Sequence, residues 1–152
     1  MTPGQLSAKV IAERAAWIRR MVASLRTLPG ASFETFQSDS RNIAAAESYL
    51  RRALEALLDL GRHVLAKGFG QAVSEYKDVA NVLAQVGVLD AQHGALLREL
   101  AGYRNRLVHF YHEVSDLELY EICTARLGDL ESLLEAMLRW INAHPERLDR
   151  EL

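Results

Sequence analysis

The sequence predicts an all-α fold, an up-and-down antiparallel helical bundle of four main helices plus one short helix. Three observations carry this expectation. Apolar residues recur at spacings of three and four along most of the chain, the period of a helix with one buried face. Prolines stand only at Pro3, Pro29 and Pro145, outside the long periodic stretches that a proline would break. No segment alternates apolar and polar residues over a length that makes a convincing strand.

Leu6, Val10, Trp17, Met21, Leu25 and Leu28 keep helical spacing, and Pro29-Gly30 follows as a stop signal. Beyond the polar link from Gln37 to Ser40, Ile43, Ala46, Leu50, Ala53, Leu57, Leu60 and Val64 predict a long amphipathic second helix reaching Lys67. Gly68 and Gly70 end it, and Ser74 is placed to cap a short third helix carrying Tyr76, Val79, Ala80 and Leu83, closed near Gly87. Asp90 is placed to cap a fourth helix from Ala91 towards Phe110. Ser115-Asp116-Leu117-Glu118 then forms a capping box for a fifth, whose seam runs from Tyr120 and Cys123 to Met137 and Ile141. Short connections between long helices favour antiparallel neighbours.

At 152 residues and 49% apolar composition, the chain can bury one full core and is expected to form a single domain over residues 1–152. The single Cys123 cannot make an internal disulfide, and no signal-peptide pattern or apolar run of membrane-spanning length stands in the sequence. A reducing cytoplasm is expected, without membrane association. A formal net charge of -2 argues against a protein that coats nucleic acid, so any RNA contact must be local. No P-loop, dinucleotide-binding glycine pattern or G-x-S-x-G elbow occurs, and no cofactor is expected. His109 and His112 lack the Cys, Asp or Glu set of a closed zinc site, Glu113 being the only acid close by, so no metal is expected either. Cys123, on the apolar seam, reads as core.

The stretch from Gly102 to His112 concentrates two arginines, two histidines, an asparagine and two tyrosines. On an unbroken helix Asn105 lies about 100° from Arg104, His109 about 140° from it, and Tyr111 returns to within about 20° of it, while Leu107 faces the opposite way into the core. Such a face suits attack of an RNA 2′-hydroxyl on its own phosphate. That reaction needs a group that titrates near neutrality, a role for His109, and a fixed cation for the charged phosphorane, a role for Arg104. Asn105 would bind a phosphate oxygen or orient His109, and Tyr111 would donate through its phenol. A plainer reading of the same residues is open: the arginines pair with acids on a neighbouring helix, Asn105 and His109 satisfy backbone groups, and Tyr111 is half-buried. Arg51, Arg52, Glu55, Asp59, Arg62 and His63 form a charged stripe on the second helix. It is either a solvated face with weak pairs or a place from which Asp59 or Glu55 orients Arg104 or Arg106 by a bidentate contact.

The segment from Arg104 to Tyr111 matches the R-N-x-x-x-H pattern of HEPN ribonucleases, and with Tyr111 it resembles the R-x-x-x-x-H-x-Y form of HepT-like toxins. Glu55 to Asp59, Ser74-Glu75-Tyr76 and Gly102-Tyr103 look similar to their family counterparts, so the resemblance spans roughly residues 40 to 125. It implies a HEPN-like bundle, a homodimer that brings two motifs to one cleft, and metal-independent endoribonuclease activity with Arg104, Asn105 and His109 as catalytic residues. Arg106 and His112 would contact RNA. The implied partner is a minimal nucleotidyltransferase antitoxin of the MntA type that adenylylates Tyr111, setting a bulky anion against Arg104. The alternatives are a non-catalytic HEPN module that binds nucleotide or assists a nucleotidyltransferase, and a purely structural helical dimer.

Overall fold

The computed structural model describes residues 5–151. Seven α-helices appear among them: α1 (Ala8–Arg26), α2 (Phe33–Gln37), α3 (Ser40–Phe69), α4 (Tyr76–Gln85), α5 (Ala91–His109), α6 (Asp116–Ala125) and α7 (Leu127–Ala143). Short 3-10 turns span Tyr111–Glu113 and Pro145–Arg147. The architecture is the expected HEPN-like helical bundle.

The 30-residue α3 is the central post, packed against α1, α4, α5, α6 and α7. Leu50, Leu54, Leu57, Leu58, Leu60 and Leu65 are fully buried along it, each burial favouring the fold by about 1.5–3 kcal/mol. Both ends of α3 are set by local chemistry. The Asp39 carboxylate accepts from the Arg41 N–H at 2.9 Å, satisfying one orphan donor of the first turn. At the other end Gly70 takes φ 67° and its N–H returns to the Leu65 carbonyl, a left-handed cap that glycine adopts without steric cost.

Where the structure departs from expectation, the causes are local. Ser32 accepts from the Thr35 N–H at 3.1 Å and starts the one-turn helix α2 in the link after Pro29-Gly30. The cap of α4 is Glu75 rather than Ser74, with no side-chain cap bond, because the Ser74 carbonyl is turned towards Arg62, whose Nη2 donates to it at 2.6 Å. The expected fifth helix is two helices. Arg126, at φ -114° and ψ 3°, closes α6 and opens α7, held there by Glu99 of α5 at 3.1 and 3.2 Å and by Asp129. The apolar seam continues through the bend, since periodicity reports burial and a one-residue break leaves the buried face in place. Cys123 is buried as expected, and burial pushes its thiol up to about 12.

The sequence predicts no strand, yet Leu6–Ser7 (β1) and Leu148–Asp149 (β2) pair in parallel. Two residues carry no readable period. The pair is formed by the fold, with Leu6 fully buried against Gly68 of α3. Among the described residues no helix is long and apolar enough to cross a membrane.

Candidate active site

Helix α5 buries Gly94, Leu97, Leu100, Ala101 and Leu107 and turns the opposite side outward. On that side Arg104, Asn105 and His109 line one open cleft of about 460 Å³, closed by Arg62 of α3, by Glu75 and Tyr76 at the start of α4, and by Phe110. The structure thus brings three of the motif residues together.

Arg104 is held on two sides. Its Nε lies 3.4 Å from Glu55 Oε1, and its guanidinium carbon stands 4.8 Å from the centre of the Tyr76 ring, a distance at which ring and cation attract. Arg104 Nη1 also donates to Asn105 Oδ1 at 3.3 Å, which leaves the Asn105 amide N–H groups available to an oxygen of a ligand. His109 is solvent-exposed on the last turn of α5. Among the described residues no hydrogen bond restrains its ring, which approaches Phe110 edge-on at 6.5 Å.

Glu55 makes a single contact with Arg104, not a bidentate one, and shares its Oε1 with Arg51 at 3.3 Å. Asp59 reaches neither Arg104 nor Arg106. Its Oδ1 accepts from the Tyr76 hydroxyl at 2.8 Å and lies 3.4 Å from Arg62. Burial and that hydrogen bond to Asp59 hold the Tyr76 phenol above its ordinary range. Tyr76 and Arg62 are the residues that sequence reasoning missed as members of the site. Arg62 stands 4.6 Å from the Tyr76 ring centre and donates to the carbonyls of Val73 and Ser74, tying the loop before α4 to α3. The only signal in the sequence was Arg62 on the charged stripe and the Ser74-Glu75-Tyr76 opening.

Arg106 belongs to a different cluster, bound to Glu118 of α6 and donating to the Glu113 carbonyl at 3.3 Å, while the Tyr103 hydroxyl donates to the same Glu118. Hydrogen bonds from Arg106, then from Tyr103, hold the Glu118 carboxyl below its usual range. This cluster fastens the Tyr111–Glu113 turn to α5.

Tyr111 is not in helical register with Arg104. Helix α5 ends at His109 because Phe110 adopts φ -133° and ψ 40°, so the expected angle of about 20° does not apply. Tyr111 instead stands in the turn, 65% exposed, edge-on to an exposed His112 at 5.9 Å, and neither lines the cleft. Among the described residues no three His, Cys, Asp or Glu side chains form a group able to hold a metal ion.

The family described as Ribonuclease HepT-like matches residues 11–137. Three solved structures are similar in fold. One is the tri-AMPylated Shewanella oneidensis HEPN toxin in complex with its MNT antitoxin, 22% identical with a TM-score of 0.77, covering 86% of this chain and 97% of that one. A toxin–antitoxin structure with AMP-PNP is 21% identical with a TM-score of 0.76, covering 84% and 97%. YutE from Bacillus subtilis, described as a cytosolic protein of unknown function, is 19% identical with a TM-score of 0.72, covering 88% and 89%. No curated protein is significantly similar in sequence. With its motif cleft on a HEPN-like bundle and a family match over most of its length, the chain belongs to the HepT-like ribonuclease family.

Proposed function

We propose that the chain, acting as one domain in the cytoplasm, is the toxin of a toxin–antitoxin pair and cleaves RNA without a metal. The observation that carries this reading is the shared cleft of Arg104, Asn105 and His109 in a member of a ribonuclease family. A phosphodiester against Arg104 and the Asn105 amide sits within reach of His109, which takes the proton of the neighbouring 2′-hydroxyl. O2′ then bonds to phosphorus, and Arg104 meets the charge that gathers on the phosphorane. The bond to O5′ breaks, and that oxygen takes a proton from the imidazolium of a second copy's His109 across a two-fold cleft. The products are a 2′,3′-cyclic phosphate and a 5′-hydroxyl. Glu55 and Tyr76 act as positioning residues for Arg104, Asp59 acts through Tyr76, and Arg106 acts through the turn it fastens. His112 is an outer contact for the RNA backbone.

Purified chain should cleave RNA in EDTA and leave 2′,3′-cyclic ends, and His109→Ala should lose about 10²–10⁴ in rate with the fold intact. Strict Mg²⁺ dependence or 5′-phosphate products would sink the mechanism. The partner we propose is a minimal nucleotidyltransferase antitoxin of the MntA type that transfers AMP to Tyr111. The phenol oxygen bonds to the α-phosphorus of ATP, pyrophosphate leaves, and the phenolic proton passes to solvent. The 65% exposure of Tyr111 and the AMPylated state of the Shewanella oneidensis toxin support this. Modification of Tyr111 in a chain that cuts no RNA would identify instead a non-catalytic module serving the nucleotidyltransferase.

A further inference from the structure

A second groove, of about 710 Å³, runs along α5 beside the cleft and is lined by Lys77, Arg98, Gly102, Asn105 and Phe110 among others. Asn105 and Phe110 line both depressions, so the groove adjoins the cleft at the motif. Ala95, Arg98, Gly102 and Asn105 fall at three- and four-residue spacings and share one side of α5. Gly102 has no side chain, so the helix backbone is bare at that point of the groove. A Cβ there would stand 3.4 Å from Lys77 Cε and 3.8 Å from its Nζ, so the lysine from α4 lies across the bare helix with its ammonium at the groove floor.

The charge of this groove is unbalanced towards positive. Its acid, Glu99, is taken up by both terminal nitrogens of Arg126, and Arg106 is taken up by Glu118. Lys77 is exposed and meets no acid among the described residues, and Arg98 is held by a neutral partner, donating to Asn81 Oδ1 at 3.3 Å. At the junction with the cleft Phe110 leaves 50% of its surface in solvent. Two cations without counter-charges along a track, ending in an exposed aromatic ring, are what a single nucleic-acid strand binds by phosphate pairing and base stacking.

We propose that this groove holds the RNA strand flanking the scissile phosphate, with Lys77 and Arg98 on successive phosphates and a base stacked on Phe110. The inference rests on the ribonuclease reading of the adjacent cleft. It predicts that the enzyme prefers long single strands to a dinucleotide, which fills the cleft alone. In Lys77→Gln/Arg98→Gln, kcat/KM on an RNA of about twelve nucleotides should fall at least about tenfold while dinucleotide cleavage is unchanged. Phe110→Ala should lower cleavage of the long strand by about five- to 100-fold. Binding of a non-cleavable 2′-deoxy strand of the same length gives a readout independent of catalysis. There the double variant should reduce the slope of log Kd against log salt by about 1.4, since each phosphate left without its cation removes about 0.7. An unchanged salt slope overturns the groove whatever the cleavage result, and so does an equal loss of activity on both substrates. A changed slope in a protein that cuts no RNA sinks the ribonuclease reading and leaves the groove as an RNA-binding surface.

Discussion

Tyr111 and His63 show how single side chains here are governed by what meets them. The Tyr111 hydroxyl sits on an exposed turn beyond the end of α5, so a partner enzyme can reach it without opening the bundle. Incubation with the nucleotidyltransferase, ATP and Mg²⁺ should add AMP to Tyr111, read by peptide mass spectrometry, and should reduce RNA cleavage. Tyr111→Phe removes the acceptor oxygen and should escape both effects. Inhibition of wild type with Tyr111 unmodified would mean that the antitoxin acts by occlusion. His63, on α3, accepts the Ser7 N–H at Nε2 at 3.1 Å, a bond that only the unprotonated nitrogen can accept. Burial, then the charges of Lys67 and Arg14, hold its pKa below the ordinary 6.5. Below that pH the unfolded chain takes up a proton that the folded chain refuses, so the contribution is complete above about 6.5 and is lost as pH falls through the folded value. The urea midpoint should therefore drop between about pH 7.5 and 5.5, and His63→Gln should drop less. Equal pH dependence in the two proteins would remove His63 from this role.

Helix α4 carries Tyr76 to the cleft, and its closeness to its neighbours depends on two glycines. At Gly61 of α3 a Cβ would meet Leu83 at 2.8 Å and Val79 at 3.1 Å, and at Gly94 of α5 a Cβ would meet the Ala84 Cβ at 2.8 Å. Ala84 has no flexible end to give way, so the helices themselves must part. Alanine at Gly94 gains about 1 kcal/mol of helix propensity but meets an overpacking cost of about 1–3 kcal/mol. Gly94→Ala should accordingly lower the melting temperature and, by displacing α4 and Tyr76, slow RNA cleavage. Gly128, in the first turn of α7, faces open space. Gly128→Ala should raise stability by about 0.5–1 kcal/mol and leave cleavage unchanged. A Gly94→Ala protein that melts higher than wild type would show that the two helices are not in the close contact described.

Past the end of the motif helix α5 the chain leaves large apolar side chains in solvent. Phe110, Tyr111 and Leu117 are 50%, 65% and 46% exposed, while Arg104 and Arg106 are each paired with a glutamate. One copy thus offers little uncompensated charge to a phosphorane, and a two-fold pair would double the arginines and histidines across one cleft. Analytical ultracentrifugation should give twice the chain mass, and Leu117→Arg should shift the protein to monomer and abolish RNA cleavage without lowering its helix content. A monomeric wild type that cleaves RNA at full rate would contradict the dimer.

The amino-acid sequence by itself determined the helical class, the presence of a long amphipathic α3, the Asp90 and Ser115 caps and the chemistry concentrated between Arg104 and His109. These depend on local spacing and on side chains that bond within a few residues. The tertiary structure alone decided the rest. Arg126 breaks the last long helix where Glu99 on α5 binds both its terminal nitrogens. Ser74 gives up capping because Arg62 draws its carbonyl, and Leu6 and Leu148 pair across the full length of the chain. Tyr76 enters the site because Asp59 holds its hydroxyl from α3. Each of these is an interaction between residues of different elements, invisible to periodicity because its partner is supplied from elsewhere in the fold. Phe110 belongs with them: the angle that carried Tyr111 back over Arg104 required a helix continuing past His109, and the Arg106–Glu118 cluster fastens a turn there instead.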